Sequence, residues 1–144
     1  MKLSTRTRYG MRAMIELAQY EGKRPLQLRT IAERQDISVK YLEQLMTMLR
    51  SAGFVRSVRG AKGGYVLGKA LDEIRLSEIF RCLEGPVTTA ECIEDKDYCE
   101  RATNCIARRV WQRVEDAIDN VLESITLQDL LEQARKTGKA NYQI

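Results

Sequence analysis

The sequence predicts a mainly α-helical protein carrying one small β-hairpin. Three observations predict it. Apolar side chains recur at helical spacing through residues 11–49, two β-prone runs flank a glycine cluster at 60–64, and an apolar stripe runs from Ile106 to Ile125.

The first helix is read from Met11, Met14, Ile15 and Ala18, one face at i, i+3, i+4 and i+7. Ser4 or Thr5 caps its start, and Gly22 and Pro25 end it. A second helical pattern covers 28–34, with Leu28, Ile31 and Ala32 inward, before Gln35-Asp36-Ile37-Ser38 breaks the rhythm. The third helix has Leu42, Leu45, Met48 and Leu49 as its buried stripe and Gly53 at its end. The period then changes. Phe54-Val55-Arg56-Ser57-Val58 and Tyr65-Val66-Leu67 are β-prone, and Gly60, Gly63 and Gly64 supply the turn between them. Helix, helix, turn, helix and basic hairpin is the outline of a winged helix-turn-helix.

Downstream, Leu76-Ser77-Glu78-Ile79-Phe80 begins a short helix stopped by Gly85-Pro86. Residues 87–104 are polar and acidic. A long helix starts near Asn104, with Ile106, Val110, Val114, Ala117, Ile118, Val121 and Ile125 as its stripe and Trp111 beside it. So long an apolar face either packs on its own domain or is buried against a second subunit, and the second option makes this a dimerisation helix. Its dimer residues are Ile106, Val110, Val114, Ile118 and Val121. Thr126-Leu127-Gln128-Asp129 opens a last helix as a capping sequence, and the tail after Arg135 is expected to fray. The expected organisation is a winged helix-turn-helix DNA-binding domain at 1–70, and a short helix with a cysteine-bearing loop at 71–104. The long and terminal helices follow at 105–135, then a flexible tail at 136–144.

Composition narrows the function. The chain has 144 residues and no histidine, which excludes a Ser-His-Asp triad, a Cys-His pair and a Cys2His2 finger. No phosphate loop precedes a helix and no nucleophile elbow is present, so an enzyme is not expected. No apolar run is long enough for a membrane span, and the N-terminus lacks the apolar stretch of a signal peptide. A cytoplasmic location is the default expectation, with no membrane partner and no small-molecule substrate.

The formal charge of +4 hides an asymmetry. Residues 1–70 carry 14 Lys/Arg against 5 Asp/Glu, a difference of +9, and residues 71–144 carry 10 against 15, a difference of −5. A basic half joined to an acidic half points to a polyanion-binding module, here for double-stranded promoter DNA, with solvation of two faces as the alternative. Candidate phosphate contacts are Arg6 and Arg8 near the first helix, Lys40 and Arg50 on the third, and Arg56, Arg59 and Lys62 on the hairpin. The base-reading face carries Ser38, Lys40, Tyr41, Glu43 and Gln44. Ser38 serves as helix cap or phosphate contact, and Tyr41 as contact or half-buried packing residue. Gln44 suits adenine, and Glu43 accepts usefully only from cytosine N4. Arg59 beside Gly60 is placed to enter a narrow minor groove.

Cys92, Cys99 and Cys105 have six and then five residues between them, which fits neither a zinc ribbon nor a thioredoxin-type pair. Three thiolates brought together by loops can hold an iron–sulfur cluster or a zinc ion, and a reversible thiol switch is the other option. Cys82 sits in an apolar run beside Ile79 and Phe80 and belongs to the core.

The start Met1-Lys2-Leu3-Ser4, then Arg8-Tyr9-Gly10, the stretch Tyr41-Leu42-Glu43-Gln44-Leu45, the wing Val58 to Tyr65 and three spaced cysteines before a long helix resemble the IscR-type regulators. These are bacterial winged-helix repressors of iron–sulfur cluster assembly genes. The resemblance implies a homodimer crossed by the long helices and a cluster on Cys92, Cys99 and Cys105. That cluster is expected to be 2Fe-2S, with 4Fe-4S left open. Several members use a histidine three residues after the third cysteine, where this chain has Arg108, and related nitric-oxide sensors use an aspartate where this chain has Arg8. A carboxylate then becomes the candidate fourth ligand. In this fold class the cysteine loop of one subunit is expected to approach the helix-turn-helix of the other, which favours Glu43 over Glu91, Glu94 and Asp97. Binding there would withdraw Glu43 from DNA and couple cluster status to sequence choice. Three alternatives remain. One is a cluster-free thiol- or metabolite-sensing regulator of the cysteine-metabolism type, whose members share the Glu84-Gly85-Pro86 region and lack the triplet. The others are a nitric-oxide or redox-sensing cluster regulator and a zinc-stabilised structural dimer.

Overall fold

A computed structural model describes residues 2–138. The predicted class holds: among the described residues seven α-helices and one antiparallel hairpin make a winged helix-turn-helix with a helical extension.

Helix α1 spans Thr5–Gln19 and is capped by Ser4, whose hydroxyl accepts from the Thr7 N–H. It ends earlier than Gly22 and Pro25 suggested, with Tyr20 as C-cap. Its buried surface is also wider than the expected stripe. Ala13 and Leu17 join Met14, Ile15 and Ala18 in the core, whereas Met11 is only half-buried. The cause is position: α1 packs on α2 (Leu28–Gln35), α3 (Val39–Ser51) and three further elements at once. In α3 the buried stripe is Leu42, Leu45, Met46 and Leu49. Met46 replaces the expected Met48, which is half-buried, because i, i+3, i+4 and i+7 from Leu42 reaches Met46 and not Met48. The α2–α3 turn closes through Asp36 in the left-handed region at φ 52°, tolerable for a short polar side chain.

Strands β1 (Val55–Val58) and β2 (Gly64–Leu67) pair antiparallel, Val55 opposite Leu67 and Val58 opposite Gly64. A feature absent from the sequence reading anchors this wing. Leu26 bridges to Tyr65, with Leu26 N–H donating to the Tyr65 carbonyl at 3.0 Å and Tyr65 N–H to the Leu26 carbonyl at 2.8 Å.

Helix α4 spans Leu76–Leu83, and a four-residue α5 (Glu91–Glu94) interrupts what the sequence suggested was all loop. The long α6 covers Ile106–Ser124, so Asn104 lies before it and Ile125 is its C-cap and not part of its stripe. Thr126 caps α7 (Leu127–Lys136) by the expected reciprocal box with Asp129, and that bonding lowers the Asp129 carboxyl below its usual range. Helix α7 folds back onto α1, and Leu127 enters the same core as Ile74, Ile79 and Leu83. The helix runs one residue past Arg135; residues 139–144 of the expected flexible tail lie outside the described residues.

The start of α1 is held by Glu84, the C-cap of α4. Glu84 Oε2 accepts from the Ser4 N–H at 3.1 Å, the Ser4 hydroxyl at 2.6 Å and the Thr7 hydroxyl. Arg6 Nε donates to the Leu83 carbonyl at 2.6 Å. The Ser4 and Thr7 hydroxyls, with help from the Ser4 amide and the Arg6 charge, hold the Glu84 carboxyl below its ordinary value of about 4.5. A folded-state pKa below the unfolded one contributes stability above the unfolded value, and that contribution disappears as pH falls through the folded value. Glu84→Gln is therefore expected to melt below wild type at neutral pH, with a gap that closes as pH drops below about 4.5. Thermal melts across that range check it, and a constant gap would count against it.

Candidate nucleic-acid interface and cysteine segment

Ser38 caps α3, accepting from the Tyr41 N–H at 3.1 Å, so the first exposed turn of this helix is fixed by its own sequence. Lys40, Glu43 and Gln44 are exposed on that turn and the next, and Arg50 is exposed in the last turn. Tyr41 is half-buried with its ring edge-on to Tyr9, centroids 6.2 Å apart. Tyr9 in turn lies under the Arg12 guanidinium at 5.1 Å, and Arg12 Nε donates to Gln35 Oε1 at 2.6 Å. Gln35 Nε2 donates to Glu16 Oε1 at 2.8 Å, and Arg34 Nη1 pairs with Glu16 Oε2 at 3.2 Å. Glu16 is only 4% exposed, and these two partners keep its carboxylate satisfied. This chain of contacts seats the start of α3 on α1 and α2. Sequence reasoning assigned Tyr9 no role beyond the family resemblance and left Arg12 out; their i, i+3 spacing on the first helix was the available signal.

On the wing, Arg56, Arg59, Gly60 and Lys62 are exposed. Gly60 has φ 109°, so the turn beside Arg59 uses a conformation that favours glycine. Arg6 has its Nε committed to the α4 carboxyl end as described, and Arg8 is exposed.

The three clustered cysteines are half-buried free thiols: Cys92 on α5, Cys99 in the loop and Cys105 as N-cap of α6. Arg108 Nε donates to the Cys92 carbonyl at 2.9 Å, tying the loop to α6. Glu115, 7% exposed, accepts from the Thr89 N–H at 2.5 Å and the Thr89 hydroxyl at 3.0 Å. Among the described residues no group of three or more Cys, His, Asp or Glu side chains could hold a metal ion. The thiol chemistry suits iron or zinc, but this arrangement does not form a ready-built site for either. Cys82 is half-buried against the core, its thiol 3.6 Å from the Met48 carbonyl, and burial pushes that thiol up from its usual range.

Among the described residues no helix is long and apolar enough to cross a membrane. The apolar stripe of α6 is largely uncovered within the chain: Ile106 is 78% and Val121 58% exposed, Val110, Trp111 and Val114 are exposed too, and Ile118 is half-buried.

A cationic recognition helix and wing joined to an acidic cysteine-bearing segment and a long apolar-striped helix define a winged-helix transcription regulator. The family model described as "Rrf2: Iron-dependent Transcriptional regulator" matches residues 3–133, and the chain belongs to that family. It is 47% identical over 130 residues to the HTH-type transcriptional regulator CymR of Bacillus subtilis, covering 90% of this chain and 89% of that one. The solved structure of CymR, titled the global cysteine regulator of B. subtilis, superposes with a TM-score of 0.79 over 92% of this chain and 98% of that one. The structure titled T. potens IscR superposes with a TM-score of 0.80 at 41% identity, over 99% and 94% of the two chains. The IscR regulator of Erwinia tasmaniensis is 37% identical, over 91% of this chain and 79% of its own length. These relatives are regulators and not enzymes, as the sequence implied. Identity does not single out the IscR type, since a cysteine regulator matches at the higher value.

Proposed function

We propose that the protein is a homodimeric, cytoplasmic repressor that binds double-stranded promoter DNA and senses sulfur status as a cluster-free, thiol- or metabolite-responsive regulator of the cysteine-metabolism type. The observation that carries this reading is the 47% identity to a cysteine regulator along nine-tenths of both chains. Gln44 and Arg59 read bases and minor groove. Ser38, Lys40, Tyr41, Arg50, Arg56, Gly60, Lys62 and Arg6 follow the backbone, and Glu43 penalises bases other than cytosine. The dimer forms through Ile106, Val110, Val114, Ile118 and Val121 of α6, whose apolar surface asks for cover.

A second reading is favoured by the thiol triplet in one segment, by the family's description as iron-dependent and by the IscR relatives. In it Cys92, Cys99 and Cys105 hold an iron–sulfur cluster, 2Fe-2S before 4Fe-4S, with Glu43 as fourth ligand. One experiment separates the two. Protein purified without oxygen is assayed for iron and acid-labile sulfide, and wild type is compared with Glu43→Ala by visible and Mössbauer spectroscopy. The cluster-free reading expects neither iron nor sulfide. Stoichiometric iron and sulfide overturn it in favour of the cluster, and a spectrum unchanged in Glu43→Ala removes Glu43 from the ligand set.

A further inference from the structure

A cavity of about 380 Å³ opens between the end of α1, the start of α2 and the wing turn. Its polar lining is Tyr20, Arg24, Gln27, Thr30, Arg34 and Lys62, with no carboxylate among the lining residues. Three cations separated in sequence thus converge on one concavity. Arg34 is partly neutralised: it pairs with Glu16 and lies over the Tyr20 ring at 4.9 Å. Arg24 and Lys62 are exposed, and among the described residues neither makes an ion pair. Like charges held close together repel, and the arrangement gains most from an anion between them.

The walls do not drift apart, because the Leu26–Tyr65 bridge hydrogen-bonds the segment before α2 to the wing. The turn that carries Lys62 is also fixed. Gly63 N–H donates to the Gly60 carbonyl at 3.0 Å, and a Cβ at Gly63 would stand 2.1 Å from the Val58 carbonyl oxygen. The Thr30 hydroxyl and Gln27 amide add hydrogen-bond donors suited to an oxyanion. The cavity borders the wing turn that bears Arg59 and Gly60, and α2 directly precedes the reading helix α3.

We propose that this cavity is a phosphate clamp, taking one backbone phosphate of the bound duplex beyond the contacts of α3 and the wing tip, with Arg24 as a contact the charge pattern alone did not single out. The proposal rests on the DNA-binding reading. Its chemistry is that of any phosphate group, so a free phosphorylated ligand is the competing source.

The test uses the full chain and two probes, a duplex selected by the wild type from a random library and a random-sequence duplex. Affinities are measured by fluorescence anisotropy across a salt series for wild type, Arg24→Gln, Arg24→Lys and Lys62→Gln. Arg24→Gln and Lys62→Gln should each weaken both duplexes by a similar factor and reduce the slope of log affinity against log salt by about 0.9, and Arg24→Lys should restore it. Equal slopes for wild type and Arg24→Gln at matched melting temperature overturn the clamp while leaving the DNA-binding reading intact. Failure of the wild type to enrich any duplex overturns both. Titration with inorganic phosphate, followed by amide chemical shifts, covers the other source. Saturable binding lost in Arg24→Gln, with no change in the DNA slope, assigns the cavity to a small anion and overturns the clamp.

Discussion

Val114→Glu is expected to turn the proposed dimer into a monomer and to abolish tight operator binding with little change in the fold of each chain. Val114 is 40% exposed in the isolated chain, so the substitution meets water and no core. With Ala117, Ile118, Val121 and Leu122 it lines an apolar concavity of about 390 Å³ on α6. If a second copy covers that surface, a carboxylate placed there loses its hydration without gaining a cationic partner. A cost of about 3 kcal/mol is a conservative value for an unpaired charge in such a place, which weakens association roughly a hundredfold. Two half-sites are then no longer held by one particle, and operator affinity falls further. Sedimentation equilibrium and anisotropy on the same samples check both consequences. A Val114→Glu protein that stays dimeric would place the interface elsewhere.

Gly64→Val should have the largest effect on the wing. Gly64 has φ 151°, and a Cβ there would stand 2.5 Å from the Leu26 carbonyl oxygen, a backbone atom that cannot swing aside. The clash falls beside the Leu26–Tyr65 hydrogen bonds, so relief requires the wing to separate from the segment before α2. The backbone strain and lost bonds together cost about 2–4 kcal/mol, lowering the melting temperature by roughly 3 °C for each kcal/mol. DNA affinity should fall more than helix content, because Arg59 and Lys62 lose their placement while α1 to α3 keep their core. Circular dichroism with anisotropy separates these effects, and a variant with native melting and native affinity would refute the account.

Much of the fold was legible because it is written in local spacing. The stripe at Leu42, Leu45 and Leu49, the Ser38 and Thr126 caps and the glycine turn of the wing depend on neighbours within a few residues. The misassignments share one cause. Met46 and Met48 are equally apolar, and the i, i+3, i+4, i+7 series from Leu42 selects Met46 once Leu42 is fixed as the inward position by the packing of α3 on its neighbours. Ala13 and Leu17 are buried because α1 is surrounded by other elements, a fact about the whole domain that no window around α1 contains.

The candidate site divides along the same line. The exposed polar residues proposed to read DNA on α3 and the wing were visible because exposure and charge follow from periodicity. The Arg12, Gln35 and Glu16 network, the Glu115–Thr89 tie and the Arg24 cavity were not, because each joins residues far apart in sequence. By itself the sequence determined the winged helix-turn-helix class, the basic charge of the first half and the existence of an apolar stripe on α6; that the stripe is uncovered within the chain came from the structure. Only the tertiary structure decided that the wing is bolted to the segment before α2 and that α7 returns to the core under α1. The physical reason is that helical periodicity and charge are properties of short segments. Convergence of distant groups depends on how whole elements pack.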